Sequence, residues 1–89
     1  MPYIKHEDRF QYDVDLGSLV IPGSAGELNY VLSRIVLLYL GDNPNYQKFC
    51  EVEGVLSHMS KEIYRRLTAP YEDEKIANNG DVVGFDSNA

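Results

Sequence analysis

The residues from Ser24 to Gly41, SAGELNYVLSRIVLLYLG, constrain the fold of this chain more than any other stretch. Ser24 and Glu27 have the S-x-x-E spacing of a capping box, in which the serine hydroxyl accepts a backbone hydrogen bond from three residues on. Gly41 can adopt the left-handed conformation that ends many helices. Between these signals, apolar residues recur at spacings of three and four, namely Leu28, Val31, Leu32, Ile35, Val36, Leu38 and Tyr39. The stretch is predicted to be a helix whose apolar stripe is so wide that more than one neighbour must cover it.

A second amphipathic helix is predicted from about Tyr46 to Leu67. Its apolar positions follow a three-four pattern and are Phe49, Val52, Leu56, Met59, Ile63 and Leu67. The residues between the two helices, GDNPN, are typical of a tight turn, and Asn45 can cap the second helix. Because short connections join antiparallel neighbours, the two helices are predicted to form an antiparallel hairpin. Gly54 interrupts the second helix and indicates the close approach of a neighbouring backbone.

The segment that precedes this hairpin is less regular. Residues 1–5 contain a proline and no helical period, which predicts an extended arm, and residues 6–9 are predicted to form a short turn. Residues 10–21 fit either an imperfect helix that ends near Ile21 or an alternating strand, and we favour the helix. Pro22 and Gly23 mark a break after it.

The segment that follows the hairpin is predicted to contain a short helix and a tail. Pro70 is expected to end the second helix and to begin the next one, with Thr68 or Ala69 as its cap. The sequence NNG at residues 78–80 is expected to close that helix, and residues 83–89 to form a flexible tail. The predicted fold class is therefore all-α, a small helical bundle built on the antiparallel hairpin, in a single helical domain over residues 1–89.

Composition narrows the classes of partner and compartment. Fourteen acidic and eight basic side chains give a formal net charge of −6, which argues against nucleic-acid and anionic-membrane partners because these favour clustered lysine and arginine. The longest apolar run, Ile35 to Leu40, is far shorter than the roughly 20 residues of a membrane span. Cys50 is the single cysteine, and no apolar leader opens the sequence, so we expect a soluble protein of the cytoplasm.

No constellation of residues carries a catalytic signature. His6 and His58 lack partners at metal-ligand spacing, and Cys50 has no candidate base beside it. Carboxylates are the one suggestive class, because an all-helical nucleotide pyrophosphohydrolase binds magnesium with glutamates at helical spacing. The alternative is therefore a divalent-metal-dependent enzyme in which Mg²⁺ is held by Glu51, Glu62, Glu72 and Asp73. Helix dipoles, and pairing of the acids with Arg65 and Arg66, explain the same residues without a metal, and we favour that interpretation.

Four segments of the chain resemble a family of short uncharacterised proteins of bacteria and their phages. They are MPYIKHEDR (1–9), SAGELNYVLSR (24–34), EVEGVLSHMSKEIYRR (51–66) and APYEDEKIANNGDV (69–82), of which APYEDEKI with the following NGDV is the most specific. The resemblance covers most of the chain and is weaker over residues 10–23. It brings no established activity and therefore assigns no catalytic residue. It implies a small free-standing protein of phage origin.

The two long helices carry more apolar surface than one hairpin and its short flanks can cover. We therefore expect self-association, most simply as a two-fold homodimer, and the function of a non-enzymatic interaction or accessory protein. The contacts are expected to come from the apolar and aromatic side chains Tyr30, Ile35, Leu38, Tyr39, Phe49, Val52, Leu56, Met59 and Ile63. Some of these side chains must instead form the core within one chain, and helical spacing alone does not separate the two groups.

Overall fold

The computed structural model describes residues 3–86, and every regular element in that range is helical. A 3₁₀ turn over His6–Asp8 precedes four α-helices, which are α1 (Phe10–Gly17), α2 (Ala25–Leu40), α3 (Tyr46–Ile63) and α4 (Ala69–Asn79). A π-helical segment, Tyr64–Thr68, joins α3 to α4. The all-α prediction is confirmed, whereas the antiparallel hairpin stays a prediction. Residues 1–2 of the predicted arm and 87–89 of the predicted tail lie outside the described residues.

The chain divides into two units, Met1–Glu53 and Gly54–Ala89, with the boundary inside α3. In the first unit α1 contacts the 3₁₀ turn, and in the second unit α4 contacts the π-helical segment. Each of these contacts joins elements that are neighbours along the chain. The single domain predicted over residues 1–89 stays a prediction.

Helix α1 ends earlier than predicted. Residues 10–17 are helical, so the helix rather than the strand is correct for them, but the predicted end near Ile21 is wrong. After Gly17, the N–H of Ser18 closes the last turn by donating to Asp15 O over 3.1 Å. Glycine lowers helix stability at that point, and Pro22 disfavours helical backbone in the residue before it. Both local effects shorten the helix.

Both ends of α2 follow the predicted signals. The Glu27 N–H donates to Ser24 Oγ over 3.2 Å, and the Ser24 hydroxyl lies 3.3 Å from Glu27 Oε2. At the other end, Gly41 has a φ of 72° and its N–H donates to Leu37 O over 3.1 Å. The capping pair and the terminal glycine therefore define this helix through contacts within a few residues of chain.

Helix α3 begins as predicted, because Asn45 Oδ1 accepts a hydrogen bond from the Lys48 N–H over 2.9 Å. An ideal Cβ built on Gly54 meets no described atom within 4 Å, so the expected close approach of another backbone at that glycine is wrong. The glycine is accommodated within the helix without a neighbour that would require it. Glycine at this position costs about 1 kcal/mol relative to alanine.

The predicted helix break at Pro70 is wrong. Proline has no N–H to donate, and in an α-helix its ring clashes with the carbonyl four residues earlier. The π-helical segment relieves this conflict by lengthening the hydrogen-bonded turn, so that the Ala69 N–H donates to Tyr64 O, five residues back. Thr68 is itself helical and makes no side-chain cap, and the helical backbone continues from α3 into α4.

Helix α4 closes at the predicted place. Gly80 has a φ of 89°, and its N–H donates to Ile76 O over 2.8 Å. A turn follows in which the Phe85 N–H donates to Val82 O over 3.0 Å. The apolar side chains of this turn are exposed.

Burial is the property in which this chain differs most from an ordinary globular domain. No residue from 3 to 86 is buried, and large apolar side chains are exposed on each of the four helices. Folded domains draw most of their stability from apolar side chains removed from water. The helices therefore form locally, while their apolar surface stays in contact with solvent.

Candidate interaction surfaces

The first candidate surface is the apolar face of α2. It consists of Leu28, Val31, Leu32, Ile35, Val36, Leu38 and Tyr39, of which Val31, Leu32 and Val36 are half-buried and the others exposed. Leu38 is the most exposed of them, at 76%. Full burial of one such side chain stabilises a structure by about 1.5–3 kcal/mol. Covering this face would therefore be more favourable than covering any other side of α2.

Tyr30, which the sequence grouped with these residues, lies on another side of α2. It is five residues from Ile35, which corresponds to a rotation of about 140° around the helix axis. Its hydroxyl accepts a hydrogen bond from Arg34 Nη1 over 2.9 Å, and the Arg34 guanidinium carbon lies 5.8 Å from the ring centre. The predicted contact residues of α2 therefore belong to two surfaces, one apolar and one with a polar edge.

Tyr30 also lines a shallow groove in the first unit. The groove has a volume of about 330 Å³ and is lined by Val20, Ile21, Pro22, Gly26, Glu27, Tyr30 and Val31. Its walls come from the segment before α2 and the first turns of α2. Sequence analysis missed this groove because residues 20–21, which it expected to be helical, have no regular structure.

The second candidate surface is a narrow stripe on α3, which we call the α3 seam. It consists of Phe49, Val52, Leu56, Met59 and Ile63, of which Val52 and Met59 are half-buried and the others exposed. The successive spacings of three, four, three and four residues place them within about 80° of the helix circumference. Such spacing is typical of the a and d positions of a two-helix interface. The seam is flanked by Lys48, Val55 and Glu62 on one side and by Glu53 and Ser60 on the other.

A lysine joins the end of α2 to the beginning of α3. Lys48 Nζ donates to Tyr39 O over 3.2 Å and lies 5.2 Å from the centre of the Tyr39 ring. The carbonyl is one of those that a helix leaves without a partner at its C-terminus, where positive charge is also favoured. The contact spans nine residues across a turn, and no sequence signal at that separation could have identified it.

The acidic residue Glu62 is paired with arginines, as predicted for the non-metal interpretation. Its Oε2 lies 3.0 Å from Arg65 Nη2 and 2.9 Å from Arg66 Nε, at spacings of three and four residues on the helix. Exposed pairs of this kind contribute up to about 1 kcal/mol and are weakened by salt.

The residues proposed for the metal alternative are placed as follows. Glu51 is exposed on α3, Glu72 and Asp73 are exposed on α4, and Glu62 carries the two arginine contacts described above. Residues 3–86 contain no group of three or more histidine, cysteine, aspartate or glutamate side chains that could hold a metal ion. His6, His58 and Cys50 are likewise exposed.

Among the described residues, no helix combines the length and the apolar character required to cross a bilayer.

The family of the chain is shown by comparison with known protein families. The model of a domain of unknown function (DUF6899) matches residues 1–82. The chain belongs to this family. The matched range includes all four helices, and with them the apolar face of α2 and the α3 seam, so both surfaces lie within the family domain. Comparisons with curated proteins and with solved structures gave no significant match.

Proposed function

We propose that this protein is a non-enzymatic interaction protein that acts as a homodimer, in which a second copy covers the apolar face of α2 and the α3 seam. One observation carries the proposal, namely that no residue between 3 and 86 is buried while large apolar side chains are exposed on each helix. A chain with 44% apolar residues has the composition of a globular protein and requires a core. A second copy can supply the missing half of that core.

The accessible surface of the chain supports this proposal. The chain exposes 8068 Å². Two separate compact bodies with the masses of Met1–Glu53 and Gly54–Ala89 would together expose about 6,300 Å², by the scaling of surface with mass in folded proteins. The excess is about 1,700 Å² per chain. Obligate homodimers bury about 1,000–2,500 Å² per chain, which is the range of this excess.

The free energy available from this surface is sufficient for association. If half of the excess is apolar, its burial contributes about 20 kcal/mol at about 25 cal/mol/Å². Association of two proteins costs an estimated 4–15 kcal/mol in lost freedom, before side-chain ordering is included. The balance favours a dimer at micromolar concentration.

Charge opposes association but does not act at the centre of the proposed interface. Each copy carries a net charge of −6, whereas the α3 seam contains no charged side chain. The repulsion therefore acts between outer faces, where salt at about 0.15 M screens charges beyond about 8 Å. We expect the dimer to become stronger as salt is added.

We further propose that association takes place in the cytoplasm, since an exposed single cysteine is compatible with a reducing compartment. We also propose, from the sequence resemblance, that the protein acts in bacteria or their phages.

Sedimentation velocity from 1 to 100 µM protein, at low and at moderate salt, tests self-association. We expect a species of twice the 10.1 kDa chain mass and a dimer fraction that rises with concentration and with salt. The melting temperature should also rise with protein concentration, because association stabilises only the folded chain. A folded 10.1 kDa species at every concentration, with a melting temperature independent of concentration, would overturn the proposal.

A further inference from the structure

We infer that the two copies of α3 pair in parallel and in register, so that each residue of the α3 seam faces its own counterpart in the second copy. This inference rests on the homodimer proposed above. It adds the direction and the register of the pairing, which self-association alone leaves open. Three features of α3 support it: the placement of apolar residues at the ends of the seam, the polar residues beyond those ends, and the charges that flank it.

The first feature is the number of apolar layers. In a parallel, in-register pair, all five seam residues meet their counterparts and form five consecutive apolar layers. An antiparallel pair matches a positions with d positions and forms at most four apolar layers with this sequence. One end residue of the seam is then left against a polar residue of the other copy.

The second feature is the identity of those polar residues. One antiparallel register places Ile63 opposite Asn45 of the partner subunit, whose side-chain oxygen already caps α3. The other register carries Phe49 past Ile63 of the partner subunit to the π-helical segment, where the α-helical spacing of the seam ends. Burying the Asn45 cap against an apolar side chain would weaken it or remove it from water, which is costly.

The third feature is the charge beside the seam. In a parallel pair, a residue before an a position faces the residue five positions later in the partner, so that Lys48 faces Glu53 of the partner subunit. The Lys48 ammonium donates one hydrogen bond to Tyr39 O and has three N–H groups, so it can also donate to a neighbouring carboxylate. The first antiparallel register instead brings the two Glu53 carboxylates together near the two-fold axis, where like charges repel. It also places Lys48 beside Glu62 of the partner subunit, but that carboxylate already pairs with two arginines.

Disulfide trapping tests the direction of pairing. Phe49→Cys and Ile63→Cys are introduced separately into a Cys50→Ser background, and each protein is treated with diamide. In the parallel pair each variant forms a disulfide dimer by itself, because counterparts at a and d positions lie close together. In either antiparallel register the two copies of residue 49, or of residue 63, are about 15 Å or more apart along the axis, which exceeds the reach of a disulfide.

Equal mixtures of Phe49→Cys with Met59→Cys, and of Ile63→Cys with Val52→Cys, analysed by intact mass, provide the complementary result. A parallel pair gives only homodimeric disulfides, whereas an antiparallel pair gives a mixed disulfide, because the first register places residue 49 level with residue 59 and the second places residue 63 level with residue 52. Ser57→Cys, outside the seam on the same helix, is the matched control and should crosslink at least tenfold less.

The outcomes separate this inference from the proposed function. Mixed disulfides, or a dimer in sedimentation that neither Phe49→Cys nor Ile63→Cys traps, would overturn the parallel register while leaving the homodimer intact. A folded monomer in sedimentation would overturn the homodimer itself. Sedimentation of each reduced variant shows whether its substitution preserves the dimer, and the two variants probe opposite ends of the seam.

Discussion

Helices α2 and α3 have similar lengths, 16 and 18 residues, but distribute their apolar side chains differently. The apolar face of α2 spans about 160° of the helix circumference, whereas the α3 seam spans about 80°. A stripe as narrow as the α3 seam is covered by one neighbouring helix, and a face as wide as that of α2 requires two. A single helix of a second copy can therefore cover the apolar stripe of α3, whereas the apolar face of α2 requires a further neighbour.

The largest effect is expected from a charge in the α3 seam. Leu56→Asp places a carboxylate at the centre of the proposed interface and should weaken the dimer at least 30-fold, or about 2 kcal/mol. Sedimentation velocity measures the change. Ser57→Asp adds the same charge one residue away, outside the seam, and should leave the dimer within about threefold of the parent. Equal effects of the two substitutions would show that α3 does not use the seam.

A smaller effect is expected at the start of α2. Ser24→Ala removes the oxygen that accepts the Glu27 N–H and should cost about 1 kcal/mol, which lowers the Tm by about 4–8 °C. Thermal unfolding followed by circular dichroism measures it. Ser33→Ala, on the same helix but away from its end, should not lower the Tm, since alanine favours the helix interior. A Tm that falls as much for Ser33→Ala would contradict the capping role.

The contact that joins α2 to α3 should have a lesser effect. Lys48→Met retains most of the side-chain stem but removes the ammonium from Tyr39 O and the Tyr39 ring, and should cost about 0.5–1 kcal/mol. Lys61→Met changes an exposed lysine of the same helix and should alter the Tm by less. Thermal unfolding of both variants separates loss of the specific Lys48 contacts from a general loss of charge.

The smallest effect is expected from divalent ions. Because the Glu62 carboxylate pairs with Arg65 and Arg66, Mg²⁺, Mn²⁺ or Ca²⁺ at millimolar concentration should change the Tm by less than about 1 °C. A thermal-shift scan with each ion measures it, with Glu62→Gln as the paired variant. An increase of several degrees that Glu62→Gln abolishes would favour the magnesium-dependent enzyme instead.

The predictions from sequence succeeded where the contacts are local. Ser24, Glu27 and Gly41 define α2 through bonds to residues three or four positions away, and Asn45 starts α3 in the same way. They failed where two local preferences compete. Pro70 favours a break, but the π-helical segment lets the backbone stay helical past it. The helix that was predicted to end near Ile21 ends at Gly17 instead.

The candidate surfaces could be predicted only in part for the same reason. Helical spacing identifies the α3 seam directly, because positions along one helix follow from its fixed rotation per residue. The interface role of Tyr30 stays a prediction, and the structure pairs its hydroxyl with Arg34 at one edge of the groove. These two residues are four apart on one helix, a spacing at which side chains meet.

The sequence by itself determined where the helices lie and which of their sides are apolar, since caps, glycines and periodicity act within a few residues of chain. Tertiary structure decided which of those sides remain in water, how the Lys48 ammonium reaches the Tyr39 carbonyl, and how the backbone passes Pro70. Exposure depends on which distant groups share space, and no local pattern encodes that. The proposed dimer follows from the exposure, because apolar surface that one chain does not cover is available to another.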